Sequence, residues 1–290
     1  MKILFITPVI PTETDGRRPF NFLSALSGQH EIHLLCMRMR VQQDSDVKRL
    51  QKMGIKVTAL PIHKLRSLFN CFIGLILGKP LRTSWCRSTA FRRLVQTTCR
   101  EETFDIVHID RMRMGQYADE IPYPVVIDFT DSLLLYLSRS LHYRRALGER
   151  LIDMWEKATI PREESRIINN VDVSLFCSKI DEQYFKEHHP SANTSVIFNA
   201  VDVRQFTIKS HQENHQPQCI ITGTLFYFPN VDSVLYYAKS ILPLLHSSFP
   251  WLGTRVIGTR PIRVIDNLNG SHNIQVLPNV PCMNEYLFSD

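Results

Sequence analysis

Residues Ile220–Pro250, IITGTLFYFPNVDSVLYYAKSILPLLHSSFP, decide the fold. An apolar strand at Cys219–Ile221 runs into the small residues Thr222–Thr224, the aromatic loop Leu225–Pro229 follows, and a helix opens at Asn230. A strand that ends in a small glycine turn before a helix is a natural anion site, because free backbone N–H groups and the helix dipole favour negative charge. The stretch therefore predicts a phosphate site at Gly223 and Thr224. The alternative is a tight turn walled by aromatic rings.

The beginning of the chain repeats this arrangement. Lys2–Thr7 is an apolar strand, the loop Pro8–Gly16 ends in a glycine, and Arg17–Leu26 has the apolar spacing of a helix. Short apolar strands alternate with helices along the rest of the chain, which is typical of βαβ units in a parallel sheet. The polar segment Ile208–Pro217 predicts a linker. We therefore expect an α/β fold with an N-terminal Rossmann-like domain, residues 1–207, and the first half of a second Rossmann-like domain, residues 208–290.

Polar residues follow the predicted strands of the N-terminal domain at two places. Gly16 ends the loop after the first strand, and Arg17 begins the first helix. The backbone at this point either approaches a sugar or phosphate closely, or the glycine only makes a turn. Asp128 ends a later strand, and Asp131 follows it. The carboxyl ends of strands in an open parallel sheet face the ligand crevice, and carboxylates there bind sugar hydroxyls or orient a reacting group. The alternative is that Asp131 and Ser132 cap the next helix.

Composition and the remaining reactive residues argue against several classes of protein. The chain of 290 residues is 44% hydrophobic and 21% charged, as in globular proteins, and its net charge of +6 favours an anionic partner or is only a solvated basic surface. The cysteines form no CxxC pair and are interpreted as small apolar residues. His108 in a predicted buried strand, and His188 and His189 beside Pro190, are interpreted as structural. The absence of GxGxxG disfavours an oxidoreductase, and no nucleic-acid-binding module is recognisable.

Two helical regions of the N-terminal domain have unusual patterns. Lys64–Arg82 combines an apolar helix, Leu65–Leu77, with basic flanks. That combination suits peripheral contact with a membrane surface, and a buried helix is the alternative. Ser138–Asn169 is a long charged helical region that we expect Pro161 to interrupt.

Several motifs together resemble a known family. They are MKILFITPVIPTETDGRRPFNFLSALS, FDIVHID, PVVIDFTDS, LFCSKIDEQYF, FNAVDVRQF and TGTLFYFPNVDSVLYYAKSILPLL. Their order and spacing resemble the bacterial family 4 glycosyltransferases, retaining enzymes of the GT-B fold, and a sub-group that assembles exopolysaccharide and other surface glycans. The resemblance spans essentially the whole chain.

The resemblance implies a function for each domain. The N-terminal domain holds a glycan or lipid-linked acceptor through Gly16, Arg17 and Ser132, and Asp128 and Asp131 are its candidate catalytic residues. The C-terminal domain binds a nucleotide-diphosphate sugar, with its phosphates near Gly223, Thr224 and Arg260. The nucleotide sugar is a co-substrate, and neither a cofactor nor a metal is expected. The odd number and irregular spacing of the cysteines favour a reducing cytoplasm, and we expect the inner face of the cell membrane if Lys64–Arg82 contacts lipid.

The sequence departs from the family pattern in ways that affect these expectations. Asp15-Gly16 replaces the usual pair of glycines in the first loop, and Phe198 and Ala200 replace the Pro and Gly of the segment before the domain crossing. No Arg and Lys follow Gly223 at the family spacing. The Glu-containing motif that holds the donor has no counterpart before Asp290, so we expect a C-terminally truncated enzyme of impaired activity. The alternative is a non-catalytic remnant that binds the acceptor or membrane, or assists an active transferase.

Overall fold

The computed structural model describes residues 1–13, 16–38, 44–140, 147–201, 203, 217–280 and 286. The chain divides into two units, Met1–Val201 and Asp202–Asp290, called unit 1 and unit 2 below. The predicted boundary between residues 207 and 208 lies outside the described residues, and so does the predicted linker up to residue 216.

Unit 1 alternates strands and helices along the chain, as the apolar pattern predicts. Its strands are β1 (Lys2–Thr7), β2 (Glu31–Arg38), β3 (Lys56–Pro61), β4 (Ile106–Asp110), β5 (Val125–Thr130), β6 (Val173–Phe176) and β7 (Thr194–Val196). Its helices are α1 (Arg17–Leu26), α2 (Asp44–Lys52), α3 (Lys64–Ile76), α4 (Leu81–Trp85), α5 (Thr89–Glu101), α6 (Leu133–Ser140), α7 (Leu147–Ile168) and α8 (Lys179–His188), with a 3-10 helix over Met112–Glu120.

The strands of unit 1 form one sheet in the order β3-β2-β1-β4-β5-β6-β7, and neighbouring strands are parallel. The chain winds outward from β1 to β3, returns to the other side of β1 to form β4, and winds outward again to β7. The strand order therefore reverses between β1 and β4. In open parallel sheets, ligands bind outside the carboxyl ends of the strands at such a reversal.

Both faces of this sheet are covered by apolar side chains. Alternate residues of a strand point to opposite faces. In β1, Ile3 and Phe5 belong to the cluster that includes Leu23 of α1, whereas Leu4 and Ile6 belong to a larger cluster with residues of α5, α7 and α8. Burial on both faces explains why the central strands are continuous apolar runs in the sequence.

Helix α7 continues through Pro161. The prediction that Pro161 interrupts the helix is wrong. A proline inside a helix removes one backbone hydrogen bond and strains the preceding turn. Here Ile160 and Ile167 bury completely on either side of the proline, and their packing in the larger cluster offsets that loss. Within the described ranges, no helix is long and apolar enough to cross a bilayer.

Unit 2 contains a smaller parallel sheet in the order β10-β9-β8. Its elements are β8 (Gln218–Thr224), α9 (Phe228–Tyr236), a π-helical turn (Tyr237–Ile241), α10 (Leu242–Ser248), β9 (Gly253–Thr259), α11 (Arg263–Asp266) and β10 (Ile274–Pro278). Val256 of β9 and Leu225 lie in the centre of its core. Among the described residues β8 has a neighbour on one side only, and its residues are only partly buried.

Candidate functional site

The reversal of strand order in unit 1 gathers polar residues at the carboxyl ends of three neighbouring strands. β1 ends at Thr7, β4 ends at Asp110, and β5 carries Asp128 near its end. Asp110 and Asp128 are register partners across the β4–β5 pair, so their side chains lie on the same face of the sheet. This edge is the candidate site of unit 1.

Asp110 is a buried carboxyl at the end of β4. It is 1% exposed, and neither of its carboxylate oxygens has a hydrogen-bond partner among the described residues. The Nε atom of Arg111 lies 3.7 Å from Oδ2. Burial raises the pKa of Asp110 from 3.8 to about 7, although Arg111 lowers it, and the charge of Asp128 adds to the rise. A carboxyl with this pKa exchanges protons near neutral pH, which is the property of a general acid or base.

Asp128 is equally buried, but both of its carboxylate oxygens accept hydrogen bonds. It is 1% exposed. Nε of Arg18 donates to its Oδ2 at 2.7 Å, and the backbone N–H of Thr130 donates to its Oδ1 at 2.8 Å. Its oxygens anchor an arginine and a turn, whereas the oxygens of Asp110 accept no hydrogen bond from the described part of the chain. The catalytic role of Asp128 stays a prediction.

Arg18 connects the start of α1 with the segment that follows β7. Its Nη1 donates to the backbone oxygen of Ile197 at 2.7 Å and to Oδ1 of Asn199 at 3.0 Å. Asn21, on the same helix, donates to the backbone oxygen of Ala200 at 3.0 Å. Nη2 of Arg18 is buried and has no hydrogen-bond partner within the described residues. One guanidinium therefore fixes three parts of unit 1 around the candidate site.

Gly16 makes the turn into α1. It adopts a left-handed conformation with φ 70° and ψ 41°, which glycine tolerates without a steric cost. A Cβ atom at this position would lie 3.3 Å from Cγ2 of Val9. Arg17, the first residue of α1, is exposed. The acceptor-binding roles of Gly16 and Arg17 stay predictions, and Asp15 lies outside the described residues.

Two strained residues flank the carboxyls. Arg111, directly after Asp110, has φ 68°, and Thr130, two residues after Asp128, has φ 69°. Such conformations cost about 1–3 kcal/mol for residues other than glycine and concentrate at functional sites. The N–H of Arg111 donates to the backbone oxygen of Asp128 at 2.7 Å, so the two strand ends hold each other in place.

Asp131 and Ser132 lead into α6. Oδ1 of Asp131 accepts a hydrogen bond from Sγ of Cys177 at 2.9 Å. Oγ of Ser132 accepts from the N–H of Leu135 at 3.3 Å, and the N–H of Ser132 donates to Oδ1 of Asp181 at 2.8 Å. The capping interpretation of Ser132 is therefore confirmed. The catalytic role of Asp131 and the acceptor-binding role of Ser132 stay predictions.

Asp131, Cys177 and Asp181 also place one potential metal-ligand atom each, two carboxylate oxygens and one sulfur, within 4.8 Å of one another. Burial raises the pKa of the Cys177 thiol to about 12, and the hydrogen bond to Asp131 adds to the rise. A thiol with this pKa is protonated at neutral pH, whereas the thiolate is the form that binds metals. The expectation of a metal-independent reaction stays a prediction.

The histidines pack as structural residues. His108 stacks on Phe5 with ring centroids 4.3 Å apart, and burial lowers its pKa to about 4, so the ring is neutral at physiological pH. Nε2 of His189 lies 3.1 Å from Oε2 of Glu164 in a buried pair. These contacts agree with the interpretation of both histidines as structural.

In unit 2 the predicted phosphate-binding residues share one edge of the sheet. Gly223 and Thr224 are the last residues of β8, and Arg260 follows the end of β9. The predicted glycine turn is wrong, because Gly223 continues the strand and pairs with Gly258. A Cβ atom on Gly258 would lie 1.8 Å from the backbone oxygen of Gly223, and the side chain of Asn230 covers Gly223 itself. The glycines are therefore needed for close packing of strands and helix.

The connection from β8 to α9 is shorter than predicted. α9 begins at Phe228 and has Pro229 in its first turn, where a missing N–H costs nothing. The guanidinium carbon of Arg260 lies 4.2 Å from the ring centroid of Phe226, so the cation sits at the same edge as the end of β8. The phosphate-binding roles of Gly223, Thr224 and Arg260 stay predictions.

Asp110 and Arg18 are the residues that sequence reasoning missed. In the motif FDIVHID, the apolar run predicts a strand over Asp105–Ile109, which stops one residue short of Asp110. The strand-end argument used for Asp128 therefore does not reach Asp110. Arg17 was chosen as the basic residue of the first helix, whereas its neighbour Arg18 faces the carboxyls. The alternation of FDIVHID would have identified Asp110, but nothing in the local sequence distinguishes Arg18 from Arg17.

No protein-family model and no curated protein sequence matches the chain. Solved structures do match it. A glycosyltransferase from Rickettsia africae ESF-5 is similar with a TM-score of 0.60 and 14% identity, over 100% of this chain and 71% of that one. The lipopolysaccharide outer core galactosyltransferase WaaB, in its apo form, has a TM-score of 0.55 and 12% identity over 100% and 71%.

A third similar structure is Phytolacca americana UGT2 in complex with UDP-2-fluoro-glucose and pterostilbene. Its TM-score is 0.53 at 12% identity, and the match covers 97% of this chain and 72% of that one. At these identities the likeness establishes the fold. The predicted GT-B-like fold, with one Rossmann-like unit and part of a second, is confirmed.

Proposed function

We propose that the protein is a glycosyltransferase that moves a sugar from a nucleotide-diphosphate sugar to a hydroxyl of a glycan or lipid-linked acceptor. The observation that carries the proposal is Asp110, a buried carboxyl at the strand-order reversal of unit 1 whose oxygens have no hydrogen-bond partner among the described residues. The GT-B-like fold supports the same reaction class by analogy. Unsatisfied buried carboxyls are costly, and a protein retains one where it serves a ligand or a reaction.

The reaction needs a group that manages a hydroxyl proton. The bond between the anomeric carbon of the donor and its phosphate oxygen breaks, and the nucleoside diphosphate leaves with the bonding electrons. A bond forms between that carbon and the acceptor oxygen on the face from which the diphosphate departs, which retains the anomeric configuration, and the proton of the acceptor hydroxyl must be removed. A carboxyl with a pKa of about 7 holds such a hydroxyl and accepts its proton at neutral pH. We assign this role to Asp110, with Arg18 as a positioning residue, and Asp128 keeps its predicted catalytic role beside it.

The remaining roles follow the family resemblance. We propose that Gly16, Arg17 and Ser132 lie on the acceptor side and that Asp131 assists catalysis. Gly223, Thr224 and Arg260 are proposed to receive the diphosphate, where a cation and backbone donors offset its charge. Retention of the anomeric configuration, independence of metal ions, membership of family 4 and a role in surface polysaccharide assembly belong to the same proposal.

The donor is best tested first among uridine nucleotides. The similar plant structure holds UDP-2-fluoro-glucose, and the similar WaaB structure is that of a galactosyltransferase. We therefore propose a UDP-hexose as the first donor and a GDP-hexose as the second. Addition of a chelator to the same assay tests whether the reaction is independent of metals.

The decisive variant is Asp110→Asn, which keeps the shape of the side chain and removes its titration. Release of nucleoside diphosphate from each donor is measured with the wild type, with this variant and with Asp119→Asn as a control. Asp119 is a partly exposed carboxylate paired with Arg166. Loss of a general base reduces kcat by about 10²–10⁴-fold, so Asp110→Asn should lose most turnover and Asp119→Asn should retain it.

Two outcomes would oppose the proposal. Equal turnover in the wild type and Asp110→Asn would remove Asp110 from the reaction. Absence of nucleotide-sugar binding by calorimetry for every donor would remove the transferase itself and leave a non-catalytic binding module.

We further propose that the protein works in the cytoplasm at the inner face of the cell membrane. The support is the basic and apolar character of Lys64–Arg82. The structure of this segment gives the membrane contact a more specific form.

A further inference from the structure

Helix α3 buries small residues and exposes large apolar ones, which is the reverse of an ordinary surface helix. Its buried positions are the small residues Ser67 and Gly74, and Cys71 is half-buried beside them. A Cβ atom on Gly74 would lie 2.2 Å from Oγ of Ser84, so α3 packs on α4 through its narrow polar side. Its large apolar residues are exposed by 44–83% and recur at helical spacing, namely Leu65, Leu68, Phe69, Phe72, Leu75 and Ile76.

The first half of α7 is inverted in the same way. It buries the acidic residues Asp153 and Glu156. Four apolar residues of this half are 50–75% exposed, namely Leu147, Leu151, Ile152 and Met154. A helix packed on the body of a protein normally turns its apolar stripe inward. Two neighbouring helices with the reverse arrangement indicate that their outer faces meet something apolar.

Hydrogen bonds join α7 to the loop that follows α3 and to the first turn of α4. Nε1 of Trp155 in α7 donates to the backbone oxygen of Lys79, just beyond the end of α3, at 3.1 Å. Glu156 accepts a hydrogen bond from the N–H of Arg82 at 3.0 Å through its Oε1. Leu151 and Ile152 lie one helical turn before Trp155, on its side of the helix. The apolar residues of α7 therefore adjoin the C-terminal end of α3.

The charge along α3 and its neighbours in the sequence has one sign. Residues 47–100 contain no aspartate or glutamate, and Lys64–Arg100 contains eight lysine and arginine residues. Lys64, Arg66, Lys79 and Arg82 flank the apolar residues of α3 and are exposed. Glu149 of α7 is exposed and opposes this charge, but it is followed by Arg150. An apolar face with a basic border fits an anionic lipid surface, where apolar insertion and electrostatic attraction add.

We propose that the exposed apolar residues of α3 and of the first half of α7, here called the α3–α7 surface, insert into an anionic phospholipid bilayer. Helix α3 has 13 residues and is about 20 Å long, which suits a helix lying in the plane of the interface and is too short to span the bilayer. A second copy of the chain is disfavoured as the occupant, because a two-fold contact would bring identical basic borders together. The inference deepens the membrane contact proposed above and does not depend on the transfer reaction.

Vesicle sedimentation of the full chain tests the proposal. Vesicles of phosphatidylglycerol and phosphatidylcholine are compared with vesicles of phosphatidylcholine alone, at low and high salt. The test variant is Phe69→Glu, and the matched control is Ile180→Glu. Phe69 is 62% exposed and Ile180, on α8, is 63% exposed, so both changes place the same charge on equally exposed apolar positions.

The expected result is salt-sensitive binding of the wild type to the phosphatidylglycerol vesicles. Phe69→Glu should lower the partition coefficient at least about tenfold, since apolar insertion and charge attraction both weaken. Ile180→Glu should bind as the wild type does. Equal thermal unfolding of both variants shows that the fold is kept, and an unfolded Phe69→Glu is replaced by Leu65→Glu at the most exposed position.

Three results would overturn the proposal. The wild type fails to bind anionic vesicles, or both variants lose binding equally, or the wild type is a dimer without lipid and Phe69→Glu makes it monomeric. The last result would assign the α3–α7 surface to a second copy of the chain. Because none of these measurements uses a sugar nucleotide, a failure here leaves the transferase proposal in place.

Discussion

Replacing Asp110 by asparagine is expected to remove a pH-dependent cost to stability. The carboxyl is 1% exposed, and its oxygens lack hydrogen-bond partners among the described residues. A neutral acid and an amide have nearly the same shape, so the variant fills the same space. The two differ in that only the carboxyl ionises, and ionisation in this environment is unfavourable because the charge is desolvated.

The sign and the size of the effect follow from the pKa. Burial raises the pKa of Asp110 in the folded protein from 3.8 to about 7. Between pH 4 and pH 7 the folded protein holds this proton and the unfolded chain does not, so the free energy of unfolding falls as the pH rises. Each pKa unit corresponds to about 1.4 kcal/mol. The full loss is therefore about 4 kcal/mol, and it is complete above pH 7.

Urea unfolding of the wild type and Asp110→Asn at pH 4.5, 6 and 8 measures this effect. Fluorescence of Trp85 and Trp155 reports on unit 1, and equal m-values make the free energies comparable. The difference in free energy of unfolding should shift in favour of the variant by about 3–4 kcal/mol between pH 4.5 and pH 8. Asp119→Asn, at a partly exposed carboxylate, should show less than about 1 kcal/mol of such a shift.

A difference that is the same at every pH would refute the reasoning. So would a variant that is less stable than the wild type at pH 8. Either result would mean that the carboxylate is ionised and well solvated or paired in the folded protein. Asp110 would then not be poised to exchange a proton at neutral pH.

Other expected outcomes concern the ion pairs and the close packing. Arg18→Met should lower the free energy of urea unfolding by about 3–5 kcal/mol, because Asp128 is left buried without its cation. The double variant Arg18→Met with Asp128→Asn should recover part of this loss. Burial raises the pKa of Glu102, but hydrogen bonds from two lysines outweigh it and hold it at about 2. Glu102→Gln should therefore cost about 1–2 kcal/mol at pH 7, and this cost should shrink as the pH falls from 4.5 through 2 and be gone below pH 2, in unfolding measured against pH. Gly258→Ala should destabilise unit 2 by more than about 2 kcal/mol in thermal unfolding, whereas Gly253→Ala in the same strand, with 3.8 Å to its nearest neighbour, should change stability by less than about 1 kcal/mol.

The sequence predicts the sheet of unit 1 well because its strands are buried on both faces. Lys2–Thr7 and Arg17–Leu26 have the predicted bounds. Such runs differ sharply from the helices between them, so their alternation is visible without tertiary information. The course of α7 through Pro161 was not predictable, since it depends on core packing that offsets a local preference.

The site was predicted only in part because its residues come together through the sheet register. Asp128 was found by the strand-end argument, while Asp110, its register partner, was missed by one residue. The role of Arg18 depends on hydrogen bonds to residues that are more than a hundred positions away in the sequence. Local pattern also could not show that Gly223 lies in a strand, because the close approach of Gly258 imposes that conformation.

The outward face of α3 shows a different limit of sequence reasoning. Its apolar spacing predicts a helix but does not say which side is buried. Both the buried-helix interpretation and the membrane interpretation fit the sequence. The structure decides the orientation, because Gly74 and Ser84 bring the narrow side of α3 against α4.

Thermal unfolding with and without nucleotides tests the central claim most directly. The chain is heated alone, with UDP, with GDP and with a UDP-hexose, each at millimolar concentration, with AMP as the control. A ligand at a hundred times its dissociation constant stabilises the folded state by about 2.7 kcal/mol. The account predicts a clear rise in Tm with a nucleoside diphosphate or its sugar and none with AMP. An unchanged, cooperative transition in every nucleotide would contradict it, because a glycosyltransferase must bind its donor.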